Sequence, residues 1–282
     1  MCAKQFFSIF AHINNLTSKQ TGMNYTNLLT EYNNGILVVT INRPKALNAL
    51  NQQTLSDLRQ LFSVDALALE DLRGVVLTGA GEKAFVAGAD ITEFTGLDAQ
   101  GGLDMAQNGH DIFFLIERFH RPVVAAVGGY ALGGGCELAM ACHIRVASDK
   151  ALFGQPEVNL GLIPGYGGTQ RLVQYIGKGR ALEMMMTADM IDAKKANDWG
   201  LVNHVVEHGK EVEKAIEILT KIAKKAPIAV AKCIASVNAY FDSQKDGFAQ
   251  EVIEFAQTVK TEDFKEGASA FLEKRKAAFQ GK

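Results

Sequence analysis

Glu137 is the only charged side chain between Tyr130 and His143, in a stretch otherwise apolar enough to lie inside a protein. An unpaired carboxylate buried there costs several kcal/mol, so it must be partnered, protonated or turned toward a cavity. It closes the run Gly133-Gly134-Gly135-Cys136-Glu137, and Cys136 to Ala141 continue that run as a predicted helix. The N-terminus of a helix carries partial positive charge, so an oxygen lying there is stabilised as it becomes negative. Two backbone N–H groups aimed at one carbonyl oxygen form an oxyanion hole, and losing one donor costs about 3–4 kcal/mol of transition-state stabilisation. Enolate or tetrahedral-oxyanion chemistry follows from this arrangement. The competing reading is a carboxylate that only stabilises the first turn of its helix.

Two further glycine-rich turns, Ala87-Gly88-Ala89-Asp90 and Pro164-Gly165-Tyr166-Gly167-Gly168, share the property that glycine lets backbone bend sharply and approach a ligand closely. All three turns are expected to follow strands. A second acid, Glu157, lies in Gly154-Gln155-Pro156-Glu157, a predicted loop after a strand beginning near Ala151. Its residue type and spacing alone do not separate it from an ordinary surface acid. His204-Val205-Val206-Glu207-His208 has the spacing of a zinc-protease motif, but that motif needs a helix and this segment continues a strand-like run ended by Gly209. No metal site is assigned. Gly79-Ala80-Gly81-Glu82-Lys83 lacks the spacing and the Ser or Thr of a phosphate loop, and no G-x-G-x-x-G opens a helix.

The elements that must position these residues alternate. Short β-branched runs at Ile36–Ile41, Val75–Thr78, Phe85–Val86, Val123–Val127, Ile144–Ala147 and Val202–Val206 read as strands. Between them, Leu55–Phe62 and Ile112–Phe119 carry apolar residues three and four apart, as on a helix. From about Glu211 the pattern is helical only: Val212–Lys225, Ile228–Ala239 after Pro227, Ala249–Val259, and a last helix near Ala268–Phe279. The expected organisation is one large α/β core over 23–210 and a helical region over 211–282 that covers an open end of the core or packs on another subunit. Residues 1–22, with only Lys4 and Lys19 charged and no Arg, are expected to be a dispensable extension or tag.

Net charge is −2 and the isoelectric point is about 6.3, which gives no general attraction for nucleic acid. Cys2, Cys136, Cys142 and Cys233 form no Cys-x-x-Cys pair and suit a reducing compartment. No apolar run reaches the roughly 18 residues that span a bilayer. A soluble, cytoplasmic protein acting on small molecules is expected.

The stretches Gly129 to Ala139, Phe153 to Glu157 and Ile163 to Arg171 together resemble the signature region of the crotonase superfamily. Asn42-Arg43-Pro44, Asn48-Ala49-Leu50, Phe85 to Asp90 and Phe271 to Lys276 extend the resemblance over about nine tenths of the chain. It implies a spiral of strand-strand-helix units followed by a helical trimerisation region, assembled as trimers or paired into hexamers. Hydratases of the superfamily carry both glutamates, and both are present here. The implied reaction adds water across the double bond of a trans-2-enoyl-CoA thioester, with double-bond isomerisation as the nearest alternative. An RNA-binding branch of the family carries a lysine-rich helix that has no counterpart here.

By this resemblance the N–H groups of Ala89 and Gly134 hold the thioester oxygen, and Glu137 and Glu157 share one water. Ala46, Leu47, Ala87, Gly88, Asp90, Ile91, Gly133, Pro156 and Gly165 are expected to surround the substrate, with Lys274 toward the phosphates of coenzyme A. Coenzyme A belongs to the substrate, and no cofactor is implied. Two nearby carboxylates cannot easily both ionise, so one pKa is expected to rise, with Glu137 as base and Glu157 as acid of a pair that titrates together. Gly128, Thr92 and His143 stand where the family commonly has Asn, Lys and Asp.

Overall fold

A computed structural model describes residues 23–282, and the expected extension over 1–22 lies outside the described residues. The strands are β1 (Leu28–Asn33), β2 (Ile36–Ile41), β3 (Gly74–Gly79), β4 (Ala84–Val86), β5 (Val123–Val127), β6 (Tyr130–Leu132), β7 (Ile144–Ser148), β8 (Leu152–Gly154), β9 (Ile191–Asp192) and β10 (His204–Val206). The helices are α1 (Gln52–Gln60), α2 (Ala99–Glu117), α3 (Gly134–Ala141), α4 (Gly168–Ile176), α5 (Lys178–Thr187), α6 (Ala193–Asp198), α7 (Glu211–Ile222), α8 (Pro227–Tyr240), α9 (Gly247–Val259) and α10 (Glu262–Leu272).

Two sheets are built in step. The larger has the order β1-β2-β3-β5-β7-β10, and the smaller β4-β6-β8-β9. The chain lays one strand in the large sheet, the next in the small sheet, then a helix, and repeats: β3-β4-α2, then β5-β6-α3. This is the expected spiral. The long apolar runs of β2 and β5 are buried along their whole length, as parallel strands covered on both faces must be. Alternation then divides their residues. Leu37, Val39 and Leu77 join Phe85, Phe113 and Phe153 in the main core, while Ile36, Val38, Val76 and Val124 face α7.

α7 therefore belongs to the packing of the core, although no strand follows it among the described residues. Its Leu219 lies where a Cβ on Gly74 would be 2.5 Å away, so a side chain at that position would have to push Leu219 aside. β1 was not visible in the sequence pattern, because Thr30-Glu31 interrupts its apolar residues. The Asn34-Gly35 turn, with φ of 49° and 77°, folds β1 back on β2 as an antiparallel edge strand.

Three expectations are corrected. The turn Pro164–Gly168 follows a 3-10 turn at Glu157–Leu160 and not a strand. The strand expected over Val202–Val206 begins at His204. The last helix starts earlier and stops at Leu272, because Thr261 caps its N-terminus by accepting from the N–H of Phe264. Beyond Leu272 the chain turns through Lys274 (φ 54°), and the N–H of Arg275 donates back to the carbonyl of Ala270 at 3.0 Å. No helix among the described residues is long and apolar enough to cross a membrane.

Candidate active site

α3 begins at Gly134, directly after β6, and buries every one of its residues. Gly133 stands before it with φ of 48° and ψ of −124°, a conformation that side chains disfavour. A Cβ at Gly133 would meet Glu157 Oε1 at 2.8 Å and the Cα of Gly88 at 3.9 Å. A Cβ at Gly135 would meet the carbonyl of Val86 at 1.9 Å, so β4 and α3 touch backbone to backbone. The glycines thus bring β4, the start of α3 and Glu157 to one point.

The Ala87–Asp90 turn is fixed from its other side. The N–H of Leu50 donates to Gly88 O (2.9 Å), the N–H of Asp90 to Leu50 O (2.7 Å), and the N–H of Ala87 to Leu47 O (3.1 Å). Leu50 and Ala89 form a parallel bridge, in which Leu50 bonds to the residues flanking Ala89. The N–H of Ala89 therefore points away from the bridge, and Ala89 N lies 3.5 Å from the Cβ position of Gly134. Gly134 is the first residue of α3, where a backbone N–H has no partner within the helix. Two amide nitrogens of the expected oxyanion hole are thus neighbours. The bend at Leu47 and Asn48, with φ of 49° and 60°, is held by Asn48, whose Nδ2 donates to the carbonyls of Ala80 and Ala84 at 2.9 Å each. Arg43 Nη2 pairs with Asp90 Oδ2 at 2.8 Å, and Thr92, in place of the family's common Lys, donates through its N–H and hydroxyl to Asp90 Oδ1.

Glu137 is 1% exposed. One of its oxygens, Oε1, accepts from the N–H of Tyr166 (2.8 Å) and the N–H of Gly168 (2.6 Å). This leaves Oε2 to act on something else. Gln155, fully buried, lies with its amide 3.0 and 3.1 Å from the two oxygens of Glu157, an orientation in which its nitrogen donates to that carboxylate. Both acids are pushed up to about 7. Burial is the largest cause for each; for Glu137 the Gly168 N–H opposes it and the charge of Glu157 adds to it. Desolvation, more than mutual repulsion, thus lifts both carboxyls where a rise in one was expected.

Residues the sequence reading passed over hold Glu137's donors in place. Arg171 Nη1 donates to Tyr166 O at 2.9 Å, and its Nη2 pairs with Glu117 Oε2 at 2.9 Å. Its guanidinium occupies the space of a side chain at Gly167, where a Cβ would lie 2.2 Å from Nη1 and where φ is 104°. His143 accepts from the N–H of Val123 through Nδ1 (2.8 Å), so its Nε2 carries the proton that bonds Glu117 O (3.0 Å). Burial pulls its pKa down to about 4, and as a neutral ring it ties β5 to the end of α2. Arg171 ended a quoted motif and could have been weighed; Glu117 carried no sequence signal.

Of the expected site residues, Leu47, Ala87, Gly88, Ala89, Gly133, Gly134, Glu137 and Glu157 are joined by these contacts. Ala46 ends the 3-10 turn before Leu47, Asp90 and Ile91 continue the second turn, Pro156 precedes Glu157, and Gly165 precedes Tyr166. Lys274 is not part of the cluster; it follows α10, which packs on α9. His204–Val206 form a strand, and His208 Nδ1 bonds Gly128 O at 3.1 Å, so the two histidines are not set on one helical face.

Two acids beside paired backbone amides, on a spiral of strand-strand-helix units, define a class of enzyme that works on an activated carbonyl compound. The comparisons narrow this. The family model described as enoyl-CoA hydratase/isomerase matches residues 31–282, and the chain belongs to that family. It is 46% identical over 255 residues to a short-chain-enoyl-CoA hydratase of Clostridium acetobutylicum, covering 90% of this chain and 97% of that one. It is 44% identical over 263 residues to a crotonyl-CoA hydratase of Syntrophomonas wolfei, covering 92% and 100%. Among solved structures, an enoyl-CoA hydratase from Bacillus anthracis is similar with a TM-score of 0.85 and 37% identity, over 91% of this chain and 100% of that one.

Proposed function

We propose that this protein is an enoyl-CoA hydratase, a lyase that reversibly adds water across the α,β double bond of a trans-2-enoyl-CoA thioester to give 3-hydroxyacyl-CoA. The observation that carries this reading is the buried Glu137 and half-buried Glu157 carboxyls, both lifted to about 7, next to the Ala89 and Gly134 amides. The amides hold the thioester oxygen and stabilise the charge it gains as an enolate forms. Glu137, with Oε1 occupied by two N–H donors, takes a proton from water through Oε2 as the oxygen of that water bonds to the β carbon. Glu157 delivers a proton to the α carbon, and the enolate collapses to the thioester. A group with pKa near the working pH serves either role well. The reaction transfers no electrons to an acceptor, so we assign no cofactor, and coenzyme A enters only as part of the substrate. Its pantetheine and adenine would run along Ala46, Leu47 and Ala87. The buried Cys136 and Cys142 are free thiols, which supports a reducing, cytoplasmic setting.

The exposed Phe248, Phe255 and Phe271 of α9 and α10 support assembly through the helical region, as a trimer or a pair of trimers. The test of function is the ultraviolet absorbance of crotonyl-CoA, which falls as the conjugated double bond is lost. Purified protein should remove it and yield 3-hydroxybutyryl-CoA. Unchanged absorbance with intact, folded protein would defeat the reading.

A further inference from the structure

Tyr166 bears on the length of the acyl chain, in an inference that rests on the hydratase reading. Its N–H holds Glu137, so its side chain starts at the catalytic carboxylate. The ring is 6% exposed and stands edge-on to Phe113, with centroids 5.6 Å apart and planes at 81°. On one side it meets α2 at Gly109, where a Cβ would lie 2.1 Å from a ring carbon. On the other it meets Gly134, where a Cβ would lie 3.3 Å from the ring. Glycine weakens a helix interior, and at Gly109 its presence is explained by the ring it admits. The ring thus fills the space between α2 and α3, beside both the amide assigned to the thioester oxygen and the carboxylate assigned to water.

With the oxygen at Gly134 and water at Glu137, the α and β carbons lie between them, and any further carbons run against this ring. His110, next to Gly109, and Gly167, next to Tyr166, line a cavity of about 640 Å³ together with Phe114 and Arg171. We propose that Tyr166 is a specificity-determining residue that ends the acyl pocket, so that the substrates are short enoyl-CoA thioesters of crotonyl size and not those of octenoyl length or above.

The test compares kcat/KM for crotonyl-, hexenoyl-, octenoyl- and decenoyl-CoA in the parent, Tyr166→Ala and Tyr166→Phe. Methylene groups that do not fit a pocket cost about tenfold or more, so the parent should fall at least that far from crotonyl- to octenoyl-CoA. Tyr166→Ala keeps the backbone N–H that holds Glu137 and should raise the octenoyl-to-crotonyl ratio by about tenfold or more. Tyr166→Phe should keep the parental ratio. If Tyr166→Ala does not fold, Tyr166→Leu, which keeps the core filled but shortens the wall, should move the ratio the same way. A parental profile flat to decenoyl-CoA, or a ratio unmoved in the shortened variants, would overturn the inference and leave the hydratase reading standing. Hydration of no thioester of any length would remove both.

Discussion

The cleft around Glu137 and the helical region from α8 onward treat apolar surface in opposite ways. In the cleft, each buried charge has dedicated partners: two N–H groups on Glu137, Glu117 and Tyr166 O on Arg171, and the carbonyls of Leu201 and Cys142 on Arg145. In the helical region the ion pair Lys265–Glu262 lies at the surface, where such contacts are worth little. There the apolar side chains are the ones left open, with Phe248 82%, Phe271 84% and Leu272 80% exposed. The cleft uses its packing to place polar groups for chemistry. The helices leave apolar surface open. Under the proposed function, catalysis and assembly fall to separate parts of one chain, and a change in one should leave the other little affected.

The sharpest break falls in the cleft. Glu137→Gln and Glu157→Gln should each lower kcat for crotonyl-CoA by about 10²–10⁴ while leaving the molecular mass in solution unchanged. Parental rates in either variant would remove that residue from the reaction.

Arg171→Met strips Glu117 of its partner and frees the loop that holds Glu137. Removing one member of a buried pair costs about 3 kcal/mol or more, read as a lower denaturant midpoint at unchanged slope. An additional Glu117→Gln should recover part of the loss; a midpoint equal to the parent's would show that the pair does not brace the cleft.

Burial of Glu137 should also appear in the pH dependence of stability. Its folded pKa is raised from 4.5 to about 7, so the native state holds that proton more tightly than the unfolded chain. The contribution is complete below 4.5 and is lost as pH rises toward 7. The loss is of order 3 kcal/mol at most. Glu137→Gln should flatten this fall, and an equal fall in parent and variant would contradict the burial argument.

The smallest effect on the fold, and the one that tests the other half of the comparison, is Phe271→Ser. An exposed site of this kind changes subunit stability by about 0.5 kcal/mol or less, yet the assembly should dissociate at concentrations where the parent remains associated. Unchanged mass by light scattering would mean that this apolar face is not where subunits meet.

Much of this division was legible in the sequence. The runs Ile36–Ile41 and Val123–Val127 match β2 and β5 residue for residue, because strands buried on both faces leave an uninterrupted apolar signal. Glu137 stood out as a lone charge in an apolar segment, and the glycines marked where backbones touch. The short β6 and β9, with three and two residues, carry too little pattern to be seen. Glu117 and Arg171 were hidden for another reason: their pairing spans 54 residues and depends on where α2 and α4 come to lie. Tyr166 could not be read as a wall before Gly109 was known to face it. Local pattern reveals elements and close backbone contacts, whereas the braces around a site arise only when the fold brings distant residues together.

If Glu137 and Glu157 act on one water, they form a unit, and removing the second after the first should cost little. The most direct measurement is kcat for crotonyl-CoA in the parent, the two single Gln variants and the double variant. The double should lose little more than the worse single, as groups acting together do. A double variant whose loss equals the product of the two single losses would mean that the carboxyls work independently, contradicting the shared-water mechanism.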